Sequence, residues 1–159
     1  TTVVPAVSGD NDGRGEQFLL DTMLGKLATY LRMCGYDAAD ALDRNVEADD
    51  DLRRIADQEE RTLVTRDTDL AARTDRALGL SARDVETQCE ELRAAGVALS
   101  LPDRPRRCGR CNGRLESVED GAETPDHTPD PTAGVWRCGR CNGYFWKGSH
   151  WEDVRRRLG

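Results

Sequence analysis

Residues 18–36 read FLLDTMLGKLATYLRMCGY. The first four are a short apolar run ending in an acid, the pattern of a buried strand. Met23, Leu24, Leu27, Ala28 and Leu31 then fall on one helical face. Gly35 suits the C′ position that ends a helix. A strand therefore stops at Asp21 and a helix follows at once. The same alternation continues outward. DAADAL (37–42) suits a second strand. ADDDLRRIADQEE (48–60) suits a helix with Asp49 as N-cap, acids in the first turn and a Leu52, Ile55, Ala56 stripe. RTLVTRD (61–67) is a β-rich run, again ending in an acid, and TDLAART opens a short helix. LGLSA (78–82) suits a strand and RDVETQCEELRAAG (83–96) a helix with Cys89 and Leu92 inward. VALSL (97–101) suits one more strand. The βαβα order implies a three-layer α/β/α domain with a mostly parallel sheet.

The chain has 159 residues, enough for one domain plus a small module. PDRPRR (102–107) marks the boundary, giving an α/β domain at 17–103 and a module at 104–159. Residues 1–16 have neither the basic start nor the apolar stretch of a signal peptide, and read as a loose leader. No apolar run is long enough for a membrane span, so the expected setting is cytoplasmic. The net charge is −7, unevenly spread: residues 104–159 carry +3 and the rest −10. Lys26 and Lys147 are the two lysines. An acidic, lysine-poor balance is expected of a salt-adapted, halophilic protein.

RCGRCNG occurs twice, at 107–113 and 137–143. Cys108, Cys111, Cys138 and Cys141 form two Cys-x-x-Cys pairs on glycine-flanked turns. Four thiolates satisfy tetrahedral zinc and close its coordination sphere, so the metal is expected to be structural. The 26 residues between the pairs exceed the usual ~15–20. A Pro-, Gly- and acid-rich insert at 119–134, expected to be mobile, accounts for the excess. A redox dithiol would need a cysteine at a helix N-terminus, which these turns do not offer. His150 could replace a ligand, but no spacing requires it. Ser149 and Glu152 stand at capping-box spacing, so a C-terminal helix is expected.

Asp21 and Asp67 both follow strands, Asp69 lies two residues on, and Asp49 stands at a helix start. In a parallel sheet the strand C-termini share one edge, where ligands bind. Two carboxylates about 4 Å apart repel by roughly 4 kcal/mol at an effective dielectric of 20. A hard cation, Mg²⁺ or Mn²⁺, would neutralise them. Ordinary helix caps on an acidic surface would place acids in the same positions.

FLLDTMLGKLATYLRMCGYDA, RTLVTRDTDLA, the paired CGRCNG knuckles and YFWKGSHW together resemble the Mut-seven C-terminal ribonuclease domain family, over about residues 17–157. The resemblance implies a PIN-like nuclease core followed by a zinc ribbon. It maps Asp21, Asp49, Asp67 and Asp69 onto a divalent-metal site, with Asp50 and Asp51 adjoining Asp49 at the helix position. Lys26, Arg32 and Arg66 could face the same cleft and contact phosphate, or serve as surface ion-pair partners. Tyr144, Trp146 and Trp151, with Lys147 and Arg155–Arg157, suit either packing of the ribbon on the core or a stacking platform for RNA. Of the two, packing suits the aromatics and RNA contact the basic tail. Cys34 and Cys89 read as core residues. The implied function is a metal-dependent ribonuclease acting on RNA. The alternatives are a non-catalytic RNA-binding or assembly module, and the toxin half of a toxin–antitoxin pair.

Overall fold

The computed structural model describes residues 16–159. The leader expected at 1–16 lies, but for Glu16, outside the described residues. Strands β1 (Gln17–Leu20), β2 (Asp37–Asp40), β3 (Thr62–Thr65) and β4 (Ala77–Gly79) form one sheet in the order β2-β1-β3-β4, with every neighbouring pair parallel. Phe18 and Leu20 point to one face and Leu19 to the other, the period of two expected of a strand. All three are fully buried because helices cover both faces. Helices α1 (Gly25–Met33) and α4 (Val85–Ala94) pack with Phe18, Leu20 and Val64; α2 (Asp49–Gln58) and α3 (Thr68–Arg73) pack with Leu19 and Leu63. The result is the α/β/α sandwich expected from the alternation. Gly35, at φ 98°, ends α1 in the left-handed conformation anticipated for it.

The chain runs from β1 to β2 on one side and then to β3 on the other. This reversal is a topological switch point, where the C-terminal ends of β1 and β3 leave a crevice. Asp21 and Asp67 are the acids at that crevice.

Four local expectations fail. Met23 lies in a turn before α1, closed by Leu24 N–H to Asp21 O (3.0 Å), and is 82% exposed rather than on the helix's inner face. Residues 97–101 form no strand. Val97 and Leu99 are buried, but side chains satisfy the carbonyls between them. Tyr36 Oη donates to Ala98 O (2.8 Å) and Arg93 Nη2 to Leu99 O (2.7 Å), so no neighbouring strand is needed. Asp49 is the first residue of α2, not its cap; Ala48 holds that position without a side-chain bond. Likewise Ser149 is already helical, and Gly148 caps through its carbonyl to Glu152 N–H.

After the linker, β5 (Leu115–Ser117), β6 (Val135–Cys138) and β7 (Tyr144–Trp146) form an antiparallel sheet in that order. Residues 119–134 join β5 to β6 and include a 3-10 turn at Pro131–Ala133; the His127 ring lies 6.1 Å from that of Trp146. Helix α5 (Ser149–Leu158) then returns to the α/β domain. Its Trp151, Val154 and Leu158 are buried with α1 and α4. Trp151 is 2% exposed, edge-on to Phe145 at 6.0 Å. It packs the ribbon onto the core rather than offering a stacking surface. Cys34 and Cys89 are core residues.

Candidate active site and metal centre

At the switch point one buried hydroxyl joins the two strand-end acids. Thr65 closes β3 and is fully buried. Its Oγ1 donates to Asp21 Oδ2 (2.7 Å) and accepts from Asp67 N–H (3.0 Å). Asp21 Oδ1 accepts from Thr22 N–H (2.7 Å). Both Asp21 oxygens therefore have fixed directions. Asp67 caps α3: its Oδ1 accepts from Asp69 N–H (3.0 Å) and Leu70 N–H (3.1 Å), and its Oδ2 takes no part in the cap. The structure thus links Asp21, Thr65 and Asp67 in one chain and places the exposed Asp69 in the first turn of the capped helix.

Asp49 is not in that chain. Arg73, in the last turn of α3, holds it at 3.1 Å. Lys26 is exposed in the first turn of α1. Arg66 is half-buried, and its Nε is buried without a hydrogen-bond partner. Arg32 departs furthest from expectation. It is 3% exposed and donates to Ala38 O (2.8 Å), Gly109 O (3.1 Å) and Arg110 O (3.3 Å). It ties the first cysteine knuckle to β2 instead of facing the Asp21–Asp67 crevice. A buried guanidinium needs several fixed acceptors, and a turn with outward-pointing carbonyls supplies them.

Sequence reasoning missed two residues here. Thr65 gave no signal, because a threonine inside a β-rich run reads as ordinary strand. Asp40 did give one: it ends β2 as Asp21 follows β1, and pairs in register with Leu20. Drawing the strand to Leu42 hid it. Asp40 Oδ1 accepts from Leu42 N–H (3.0 Å). Burial, and then the negative charge of Asp43, hold its carboxyl above the usual carboxylate range against the Leu42 N–H and Arg32. The large apolar side chains most exposed among the described residues, Met23 (82%) and Leu42 (55%), follow β1 and β2 at this same edge. A cavity of about 580 Å³ lies at the opposite end of the sheet beside Arg61 and Arg76 and is lined by neither Asp21 nor Asp67.

The cysteines make a second centre. The Sγ atoms of Cys108, Cys111, Cys138 and Cys141 all lie within 4.8 Å of one another. Cys108 and Cys141 are 3.9 Å apart, and Cys111 and Cys138 3.4 Å. A tetrahedron with metal–sulfur bonds of ~2.3 Å has sulfurs roughly 3.8 Å apart, so the four could bind a metal such as zinc. Each knuckle closes the same way. Cys108 N–H donates to Gly113 O and Cys138 N–H to Gly143 O, both at 2.8 Å, and Asn112 and Asn142 take left-handed φ of 69° and 61°. Burial raises the Cys138 thiol, but N–H groups of Cys141 and Arg140 and its thiol neighbours outweigh it, bringing the group to about 7. Burial leads in pushing Cys111 up to about 12.

A family model described as Mut7-C RNAse domain matches residues 16–158 of the chain. No curated protein and no solved structure matches it.

Proposed function

We propose, since the chain belongs to the Mut7-C RNAse domain family, that it is a metal-dependent endoribonuclease working at Asp21 and Asp67. The observation that carries this reading is the Asp21–Thr65–Asp67 chain at the switch point of a parallel sheet. On this reading residues 17–103 are a PIN-like catalytic unit and 104–159 an appended ribbon. Asp21 and Asp67, with Asp69 and the neighbouring Asp40, offer the hard oxygen donors that suit Mg²⁺ or Mn²⁺. Such an ion would supply an activated water and a counter-charge for the phosphate. Thr65 and the Thr22 N–H fix the Asp21 carboxylate before substrate arrives, so little reorganisation remains. The N-terminus of α1 has no side-chain cap and no acid in its first turn. Together with Lys26 it gives the edge positive potential for a phosphate. Asp49, held by Arg73, is not assigned to the site.

The four cysteines on this reading hold a structural zinc, with no position open to substrate. Pairs of cysteines used as ligands rather than disulfides support a cytoplasmic setting. The acidic, lysine-poor composition supports salt adaptation.

The test is cleavage of single-stranded and structured RNA with Mn²⁺. Asp21→Asn and Asp67→Asn should each remove several kcal/mol of transition-state stabilisation, a rate loss beyond about a hundredfold. Thr65→Val, which keeps the shape and deletes the hydroxyl, should give a smaller loss with the fold intact. Activity surviving in both aspartate variants sinks the assignment. A second reading also rests on a specific observation. The hydrogen bonds on Asp21 and Asp67 would serve a purely structural role equally well. The chain would then bind RNA without turnover, and the same assay separates the two.

A further inference from the structure

The tail arginines expected to meet RNA are neutralised within the protein. Arg155 pairs with Glu152 (3.8 Å), Arg156 with Asp153 (3.0 Å), and Arg157 with Asp153 (3.0 Å) and Glu86 (3.5 Å). Positive charge also gathers where the linker meets the ribbon. A cleft of about 360 Å³ is lined by Arg104, Arg106, Arg107 and Arg114, with Ser117 and Trp136, and among the described residues no acidic side chain lines it. Arg107 and Arg114 face each other across an antiparallel bridge, a placement in which like charges destabilise. Arg107 meets one acid in return, Asp37 at 3.6 Å. In a chain of net charge −7, such a gathering stands out, and a bound polyanion would relieve its repulsion.

The cleft also leads somewhere. Arg107 lines a second, polar groove of about 220 Å³ along the outer edge of β2, flanked by Arg140 and by Arg44, which pairs with Glu59 (2.7 Å), passing Asp37 and reaching Asp40 and Asp43. The four residues of β2 span roughly 10 Å at ~3.3 Å each. The two grooves together run from the linker to the sheet edge that bears Asp21.

We propose that this arginine-lined track binds the sugar-phosphate backbone of single-stranded RNA, with Trp136 receiving a base, and leads the strand along β2 toward the acid edge. The direction of the track rests on the ribonuclease reading; the binding surface does not. A single strand is favoured over a duplex because an indole can stack only on a base whose face is free.

The experiment uses the full chain with its zinc, without added Mg²⁺ or Mn²⁺, and a short fluorescein-labelled oligouridylate followed by anisotropy across a salt series. The Arg104→Ala/Arg114→Ala double variant should bind at least about tenfold more weakly. Its plot of log affinity against log salt should be shallower by about 1.4, or ~0.7 for each phosphate of the single strand that an arginine no longer neutralises. Trp136→Leu should weaken binding at least about fivefold with the slope unchanged. Arg155→Ala/Arg156→Ala should bind as wild type does. Melting temperature and zinc content confirm that each variant is folded, and Arg114→Glu, a single exposed change, repeats the test with one substitution. Wild-type binding by the folded cleft variants overturns the proposal. So does tighter binding of an RNA duplex than of the single strand, or displacement of the RNA by an oligoglutamate peptide at equal charge. Loss of binding in the cleft variants upholds the track even if Mn²⁺ cleavage is never seen, in which case only the ribonuclease reading falls. Cleavage with unaltered binding in those variants leaves the reading and removes the track.

Discussion

The two RCGRCNG knuckles are identical in letters and in backbone closure, yet they live in different surroundings. The first is pressed against the α/β domain. Gly109 faces α1, where an added Cβ would sit 3.2 Å from Thr29 Cγ2; at Gly139 the nearest atom to such a Cβ is Arg114 O at 3.8 Å. Asn112 is 7% exposed. Its Oδ1 accepts from Ala38 N–H (3.0 Å) and its Nδ2 donates to Asp37 Oδ1 (2.7 Å). It thereby occupies the open edge of β2, which a sheet must cover in some way. Asn142, its twin, is exposed and accepts only from Arg137 Nη2 (3.2 Å) among the bonds seen for its side chain. Local sequence sets the shape of a turn; which turn becomes a joint depends on what it meets.

The first way to break the comparison removes what the knuckles share. Stripping zinc, or Cys138→Ser, should unfold the ribbon, because structural zinc supplies on the order of 10 kcal/mol. Elemental analysis should find one zinc per chain, and chelation should lower the melting temperature. An unchanged melting curve after chelation refutes the zinc reading for both knuckles at once.

The next effect separates them by space. A Cβ on Gly113 would lie 2.6 Å from Cys138 Sγ and 2.8 Å from Arg140 Cβ, while one on Gly143 would lie 3.3 Å from Cys141 Sγ. Gly113→Ala should therefore cost about 3 kcal/mol through overpacking and weaken zinc retention in a competition titration. Gly143→Ala should cost visibly less. Equal losses would show that the metal site adapts to either.

Asn112→Ala against Asn142→Ala tests the joint itself. The first strands the Ala38 N–H and takes a donor from Asp37, a cost of about 2 kcal/mol by denaturant unfolding. The second should stay within roughly 0.5 kcal/mol, as exposed changes usually do. If the two match, the docking of the first knuckle contributes nothing to stability.

The smallest effect is a pH dependence confined to the docked side. Burial raises the Asp37 carboxyl, but hydrogen bonds from Arg61 and Asn112 and the charges of Arg61 and Arg107 outweigh it, so the folded value lies below 3.8. A depressed acid stabilises the fold above its unfolded pKa and loses that contribution as pH falls through the folded one. Wild type should therefore lose stability as pH falls through and below the ordinary carboxylate range, by a modest amount because the pair is part-exposed. Asp37→Asn should be less stable at neutral pH and flatten that acid limb. An identical acid limb in the variant removes Asp37 from the joint.

Much of this molecule was legible in its letters. The period-two burial of Phe18 to Leu20, the helical spacing of Leu24, Leu27 and Leu31, Gly35 at a helix end and four cysteines in two pairs are all local patterns. Backbone sterics and side-chain periodicity determine them without reference to distant residues. They gave the α/β/α class and the place of the metal-capable ribbon. Tertiary structure decided what local pattern cannot encode. It chose Asp21 and Asp67 as the linked pair through a threonine 44 residues from Asp21 in sequence, and left Asp49 to Arg73. It turned Arg32 from a cleft candidate into a buried tie, drew the tail's arginines into ion pairs, and gathered the linker's arginines along one cleft. In each case a charged or hydroxyl group takes whichever partner the fold brings within about 3 Å, and that distance is a property of the packed chain, not of any stretch of its sequence.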